Sequence, residues 1–330
     1  MNPSSPAPLV FFRVLADRSG KPSGLLADLG ADDGAALLPL FASASFIALG
    51  TGLPCFFRDG PEPASAAALT QAGFRQVEAG SLFRADDRLV AEFLPPSASW
   101  IDGDWCMAPP PKAPGAQAAS RALALQLVQL VAADADTHEI EALLRRDPTL
   151  SYNLLRLVNS LGMGVGRRVT SFSQAILILG RQQLRRWLNL MVFAARQGDM
   201  RSAMLLARVA LRAHAIELLA KATGLDKNTQ EQGFMTGMFS LLGVLFGMPL
   251  PEVLAPLAIS EAVQGALLRH EGELGSLLRV VESAESGDLD GVAVQLAALQ
   301  LGAQEFNQIA VDACTWMQVA VRGNQGDAHV

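Results

Sequence analysis

L-L-R-R-D-P-T-L-S-Y-N-L-L-R-L-V-N-S, residues 143–160, and S-F-S-Q-A-I-L-I-L-G, residues 171–180, decide the fold class of this chain. Pro148 lacks an amide proton, so it belongs in the first turn of a helix, with Asp147 as the cap before it. Leu150, Leu154, Leu157 and Val158 recur at i, i+4, i+7 and i+8, which is one apolar helical face. Asn159 and Ser160 end that run, and Gly162, Gly164 and Gly166 turn the chain. Ser173 caps a second helix that closes at Gly180.

Outward from this stretch the two directions differ. From residue 118 on, helical periodicity persists and predicts helices over 118–133, 138–146, 149–161, 173–179, 182–196, 200–223, 230–246, 260–269, 273–286, 289–300 and 304–321. Before residue 108 the apolar runs are short (Leu9–Leu15, Phe46–Leu49, Leu89–Leu94) and lie between Gly, Pro and Asp clusters. One helix is expected over Ala64–Ala72 and a strand over Phe74–Val77, so this part reads as a small α/β unit. Pro109, Pro110, Pro111 and Pro114 form a stiff linker between the two. The expected division is a small α/β domain at 1–107, a linker at 108–117, a helical domain at 118–322 and a disordered tail at 323–330.

Half of the 330 residues are apolar and the formal net charge is −6, a balance that disfavours a general nucleic-acid binder. Cys55, Cys106 and Cys314 are few and far apart, as in a reduced cytoplasmic protein without a disulfide framework. No signal-peptide core is evident at the N-terminus. Gln232–Pro251 carries no charge, but Thr236, Ser240, Pro249 and Pro251 dilute it, so a buried helix is expected there and not a membrane span. Its glycines would let helices approach closely.

The quoted pieces resemble the HDOD domain, an all-α relative of the HD and HD-GYP phosphohydrolases. The resemblance rests on Asp147-Pro148, Leu154–Ser160, Ala175-Ile176, Leu179-Gly180 and Trp187, and Phe234–Leu242 resembles the family's buried central helix. It covers roughly residues 118–322. It implies a mainly α protein: an all-helical HDOD (HD-like) bundle with a small N-terminal α/β domain. Such proteins often carry an N-terminal domain related to the EAL phosphodiesterases, which would make residues 1–107 a truncated EAL-like remnant. The implied function is bacterial signal transduction without catalysis, through protein–protein contacts.

An HD phosphohydrolase needs paired His-Asp ligands to hold metal ions that polarise phosphate and activate water. No His-Asp dipeptide occurs here, and the corresponding position reads Ser240-Leu241, a degenerate HD motif that cannot ligate a metal. His214 is a candidate leftover ligand position, with a surface or capped histidine as the plainer reading. The E-A-L at Glu141-Ala142-Leu143 falls within an amphipathic helix and is coincidental. The expectation is therefore no enzyme, no catalytic residue, no metal and no cofactor.

The charge distribution is uneven. Between Arg145 and Arg212 there are twelve arginines and two acids, and from Ala213 on there are fourteen acids and five basic residues. The plain reading is that the arginines pair with those acids inside one bundle. The sharper reading makes Arg167, Arg168, Arg181, Arg185 and Arg186 a binding surface, because a guanidinium fork suits carboxylate or phosphate. The partner is then an unidentified signalling protein. A cyclic dinucleotide or a second copy of the chain stays open, and a membrane is not expected. Two rivals remain: a nucleotide or nucleic-acid sensor using the arginines, and a divergent metal-dependent phosphohydrolase.

Overall fold

The structure, a computed structural model, describes residues 8–30, 34–59, 63–110, 116–144, 172–194 and 199–325. The opening stretch 145–171, with its Asp147-Pro148 cap, Asn159, Arg167 and Arg168, lies outside the described residues.

The N-terminal part is a six-stranded sheet built from β1 (Val10–Ala16), β2 (Pro22–Leu29), β3 (Cys55–Phe57), β4 (Arg75–Gln76), β5 (Leu82–Arg84) and β6 (Trp100–Asp102), in the order β4-β3-β2-β1-β6-β5. The central pair β1 and β2 is antiparallel, with Phe12 opposite Ala27 and Val14 opposite Leu25. Strands β3 and β4 add in parallel on one side, and β6 with β5 on the other. Helices α1 (Leu38–Phe41), α2 (Ala44–Gly52) and α3 (Pro63–Gln71) accompany this sheet. The α/β reading stands. Two apolar runs, however, take helical form. Phe46–Leu49 lies in α2, where Ser43 Oγ accepts from the Phe46 amide as the N-cap. Leu89–Leu94 holds a short 3-10 turn with Leu94 buried and Phe93 exposed.

The rest is helical: α4 (Ala116–Ala132), α5 (Thr137–Leu144), α6 (Phe172–Ala194), α7 (Arg201–Ala222), α8 (Lys227–Phe239), α9 (Leu242–Phe246), α10 (Leu250–Leu254), α11 (Glu261–Arg269), α12 (Gly272–Ser286), α13 (Leu289–Ala298) and α14 (Ala303–Gln325). Most expected helices recur within a few residues. The expected break at Gly180 is present as a kink within α6, with φ 74°. The single helix expected over 230–246 is two, because Ser240 and Leu241 end α8 before α9 begins. No single helix among the described residues is long and apolar enough to cross a membrane.

Helix α7 is the axis of the bundle and packs against α6, α8, α12, α14 and β1. Its crossing with α8 requires glycine: a Cβ on Gly237 would lie 2.5 Å from the Ala213 Cα, where no side chain fits. Gly237→Ala is therefore expected to destabilise the protein by about 1–3 kcal/mol, the usual cost of forcing volume into a filled core. Denaturant unfolding checks it, and an unchanged midpoint would mean the helices part freely.

One apolar core spans both parts of the chain, from Phe12, Phe46 and Leu49 to Leu205, Val311 and Met317. Helix α14 packs on α2 and β1. Asn307 clamps the first strand, accepting from the Val10 amide and donating to the Pro8 carbonyl, both at 2.9 Å. Gln318 donates to the Leu49 carbonyl at 2.8 Å.

Candidate functional site

Ser240 and Leu241, read from the sequence as a degenerate HD motif, follow the end of α8. Ser240 Oγ donates to the Gly237 carbonyl at 2.7 Å and accepts from Arg212 Nη1 at 2.8 Å, and Leu241 is buried. Beside them, buried Arg212 makes a bidentate pair with Glu285 at 2.9 and 2.5 Å and reaches Glu282 at 3.5 Å. Arg208 extends the chain of charges, touching Glu285 at 3.3 Å and Asp104 of the N-terminal part at 2.6 Å. At the far end His270 Nε2 lies 2.8 Å from Glu282. Burial alone would push the Glu285 carboxyl up, but Arg212 and Arg208 outweigh it and hold it below the ordinary range.

His214 lies two residues beyond Arg212 on α7, on another side of the helix. Its Nδ1 is 3.0 Å from Glu217, and its ring stacks on Trp316 at 5.0 Å. Arg186 meets the same glutamate with two hydrogen bonds of 2.6 and 3.1 Å, and its guanidinium lies 4.6 Å over the Phe234 ring. Trp187 stacks on Trp316 at 5.5 Å, so both tryptophans are core. Among the described residues no group of three or more His, Cys, Asp or Glu side chains is placed to hold a metal ion.

Of the five arginines read as a surface, the structure describes the side chains of Arg185 and Arg186. Arg186 is an internal tie, with its side chain only 15% exposed. Arg185 pairs with Asp134. The side chain of Arg181 and all of Arg167 and Arg168 lie outside the described residues. The pairings of Arg185 and Arg186 follow from packing: α6 contacts both α4 and α7, so more than one of its faces is covered.

Periodicity missed Asn189, a single polar residue within the apolar run Trp187–Val192, which was its only signal. Asn189 is 2% exposed and lines a cavity of about 290 Å³ between α4, α6, α8 and the start of α11. Phe234, Met235, Phe239, Val131 and Val263 form its apolar walls, and Gln182, Asn228 and Ser260 its exposed edge. Gln182 is hydrogen-bonded to Glu231 across the opening. A larger hollow of about 730 Å³, by Gln126, Gln129, His138 and Glu139, holds no unpaired buried side-chain atom among the described residues.

The sequence also missed the carboxylates of the N-terminal sheet. Asp102 accepts from Arg13 at 2.6 Å and Arg58 at 2.7 Å, and Asp28 accepts from Arg58 at 2.9 Å. Two arginines thus neutralise two aspartates on the sheet. The stretch Asp102-Gly103-Asp104, plain as a turn, joins this cluster to Arg208.

Residues 119–269 match the HDOD domain family. The cyclic di-GMP phosphodiesterase CdgJ of Vibrio cholerae is 32% identical over 197 residues, 59% of this chain and 45% of that protein. The uncharacterised protein YuxH of Bacillus subtilis is 29% identical over 176 residues, 52% of this chain and 42% of that one. The chain spans less than half the length of either relative. A solved structure from Shewanella amazonensis SB2B covers 60% of this chain and 92% of its own at 16% identity, with a TM-score of 0.43, too low to carry an argument. The expectation that the chain is not an enzyme is corrected here, because a relative of this similarity is named as a phosphodiesterase. It rested on the missing His-Asp pair, which speaks only to HD-type chemistry at Ser240-Leu241. The chain carries an HDOD domain at residues 119–269.

Proposed function

We propose that this chain works in cyclic di-GMP signalling, with its HDOD domain controlling turnover of the dinucleotide through protein contacts. The similarity to the Vibrio cholerae phosphodiesterase over 197 residues carries this reading. The fold supports it physically. The ion pairs Asp104–Arg208–Glu285–Arg212 and the shared apolar core tie the helical bundle to the N-terminal sheet. A partner that shifts the bundle would then be felt at the sheet, because packed cores pass on displacements without absorbing them.

The test has two arms. Purified full-length chain is incubated with cyclic di-GMP, with and without divalent metal, and linear product is followed by chromatography. In parallel, the cellular dinucleotide level is compared between the native strain and a deletion. A change in cellular level is expected, whether or not the chain hydrolyses the dinucleotide unaided. An unchanged level together with no hydrolysis would overturn the proposal.

A further inference from the structure

The cavity beside α6 has a hydrogen-bonding edge that nothing among the described residues completes. Asn189 is 2% exposed, and its Oδ1 has no partner among the described residues. Among the described residues its Nδ2 reaches the Met235 sulfur, at 3.6 Å. One helical turn earlier, the Arg185 Nε is also buried and unpartnered, although its Nη2 is paired with Asp134. Residues at i and i+4 share a helix face, so this acceptor and this donor stand side by side. An unmade buried hydrogen bond is costly, and native proteins keep few of them, so two on one wall of one cavity point to a ligand.

The size and chemistry of the cavity narrow that ligand. A volume of about 290 Å³ exceeds what one bridging water fills, since a water's share of liquid is about 30 Å³. The Phe234 and Phe239 walls suit a flat ring. Of the charged side chains that line it, Arg186 is matched by Glu217, Arg185 pairs with Asp134, and Glu231 accepts from the neutral Gln182 amide, so the described lining does not call for a phosphate. What remains is a planar, uncharged heterocycle that places an N–H donor beside an acceptor. We propose that this cavity is a purine-base site and, resting on the cyclic di-GMP reading, that the base is guanine. The guanine N1–H and exocyclic amine donate to Asn189 Oδ1, and O6 accepts from Arg185 Nε–H. Sugar and phosphate stay outside, past the exposed Gln182 and Asn228.

Calorimetric titration of the full chain with GMP, AMP and cyclic di-GMP tests this, using wild type and Asn189→Leu. GMP and cyclic di-GMP are expected to bind wild type, and the variant to lose about ten-fold or more in affinity, the effect of one unmade buried hydrogen bond. Thermal unfolding runs beside it, and the variant is expected to melt no lower, because it removes an unsatisfied carbonyl. If Asn189→Leu fails to fold, Arg185→Met removes the donor, keeps the stem and is expected to weaken GMP in the same way. AMP binding in place of GMP, lost in the variant, supports the base site and overturns guanine. Binding of neither nucleotide to wild type, or equal binding by wild type and variant, overturns the site. Neither result bears on the cellular dinucleotide level, which decides the turnover reading separately.

Discussion

Glu285→Ala is expected to lower the unfolding free energy by about 3–5 kcal/mol, the usual result of removing one partner of a buried ion pair. Glu285 serves two arginines, pairing with Arg212 at 2.5 Å and with Arg208 at 3.3 Å, and its own side chain is 7% exposed. Without it, the Arg212 guanidinium is left buried with Ser240 and the more distant Glu282 as partners. The penalty comes from that stranded charge more than from the lost attraction. Replacing both partners, Arg212→Met with Glu285→Leu, is accordingly expected to cost less than Glu285→Ala alone. The pH dependence gives a second reading. Burial raises the Glu285 carboxyl, but the arginines outweigh it and leave it depressed. A depressed carboxyl contributes stability that is complete above its unfolded pKa of about 4.3 and is lost as pH falls through the folded value. The gap between wild type and Glu285→Ala should therefore be full at neutral pH and narrow below about pH 4. Urea unfolding at several pH values checks this, and a gap that does not change with pH would show that the carboxyl titrates alike in the folded and unfolded states.

Residues 116–330 expressed alone are expected to lose cooperative unfolding, although a proline-rich linker precedes them. The N-terminal part covers α14 and α7 with β1 and α2, in a core that includes Val10, Phe12, Phe46 and Leu49. Each large apolar side chain stripped of its cover forfeits about 1.5–3 kcal/mol. A typical domain has only about 5–15 kcal/mol in total. Uncovering several such positions exceeds that reserve. The truncation also removes the groups that Asn307 and Gln318 bind, so three buried hydrogen bonds are lost. Linker geometry points the same way: Arg201 donates to the Ala108 carbonyl, so the start of the proline segment is held against α7. Circular dichroism with thermal unfolding of the fragment decides the matter. A sharp two-state transition near that of the full chain would show that the helices carry their own core.

The helical part of the fold was legible because a helix announces itself locally. Spacings such as Leu184, Trp187 and Leu188 repeat within one turn or two, and all three are buried as that spacing requires. The sheet was less legible, since β3, β5 and β6 have three residues each and their pairing depends on partners far along the chain. The pairing of Arg185 and Arg186 was hidden for a related reason. Periodicity finds the apolar face of a helix, but it cannot tell how many other faces neighbours will cover, and α6 lies against both α4 and α7.

By itself the sequence determined the helical class, the missing His-Asp pair and the excess of arginine over acid before Ala213. Only the tertiary structure decided where those charges go. Arg212 meets Glu285 across 73 positions, Arg208 meets Asp104 across 104, and Asn307 meets Val10 across 297. It also left Asn189 Oδ1 without a partner among the described residues, on a side chain that lines a cavity. Such pairings depend on how distant helices cross, and a crossing is set by the summed packing of many side chains, which no local pattern encodes.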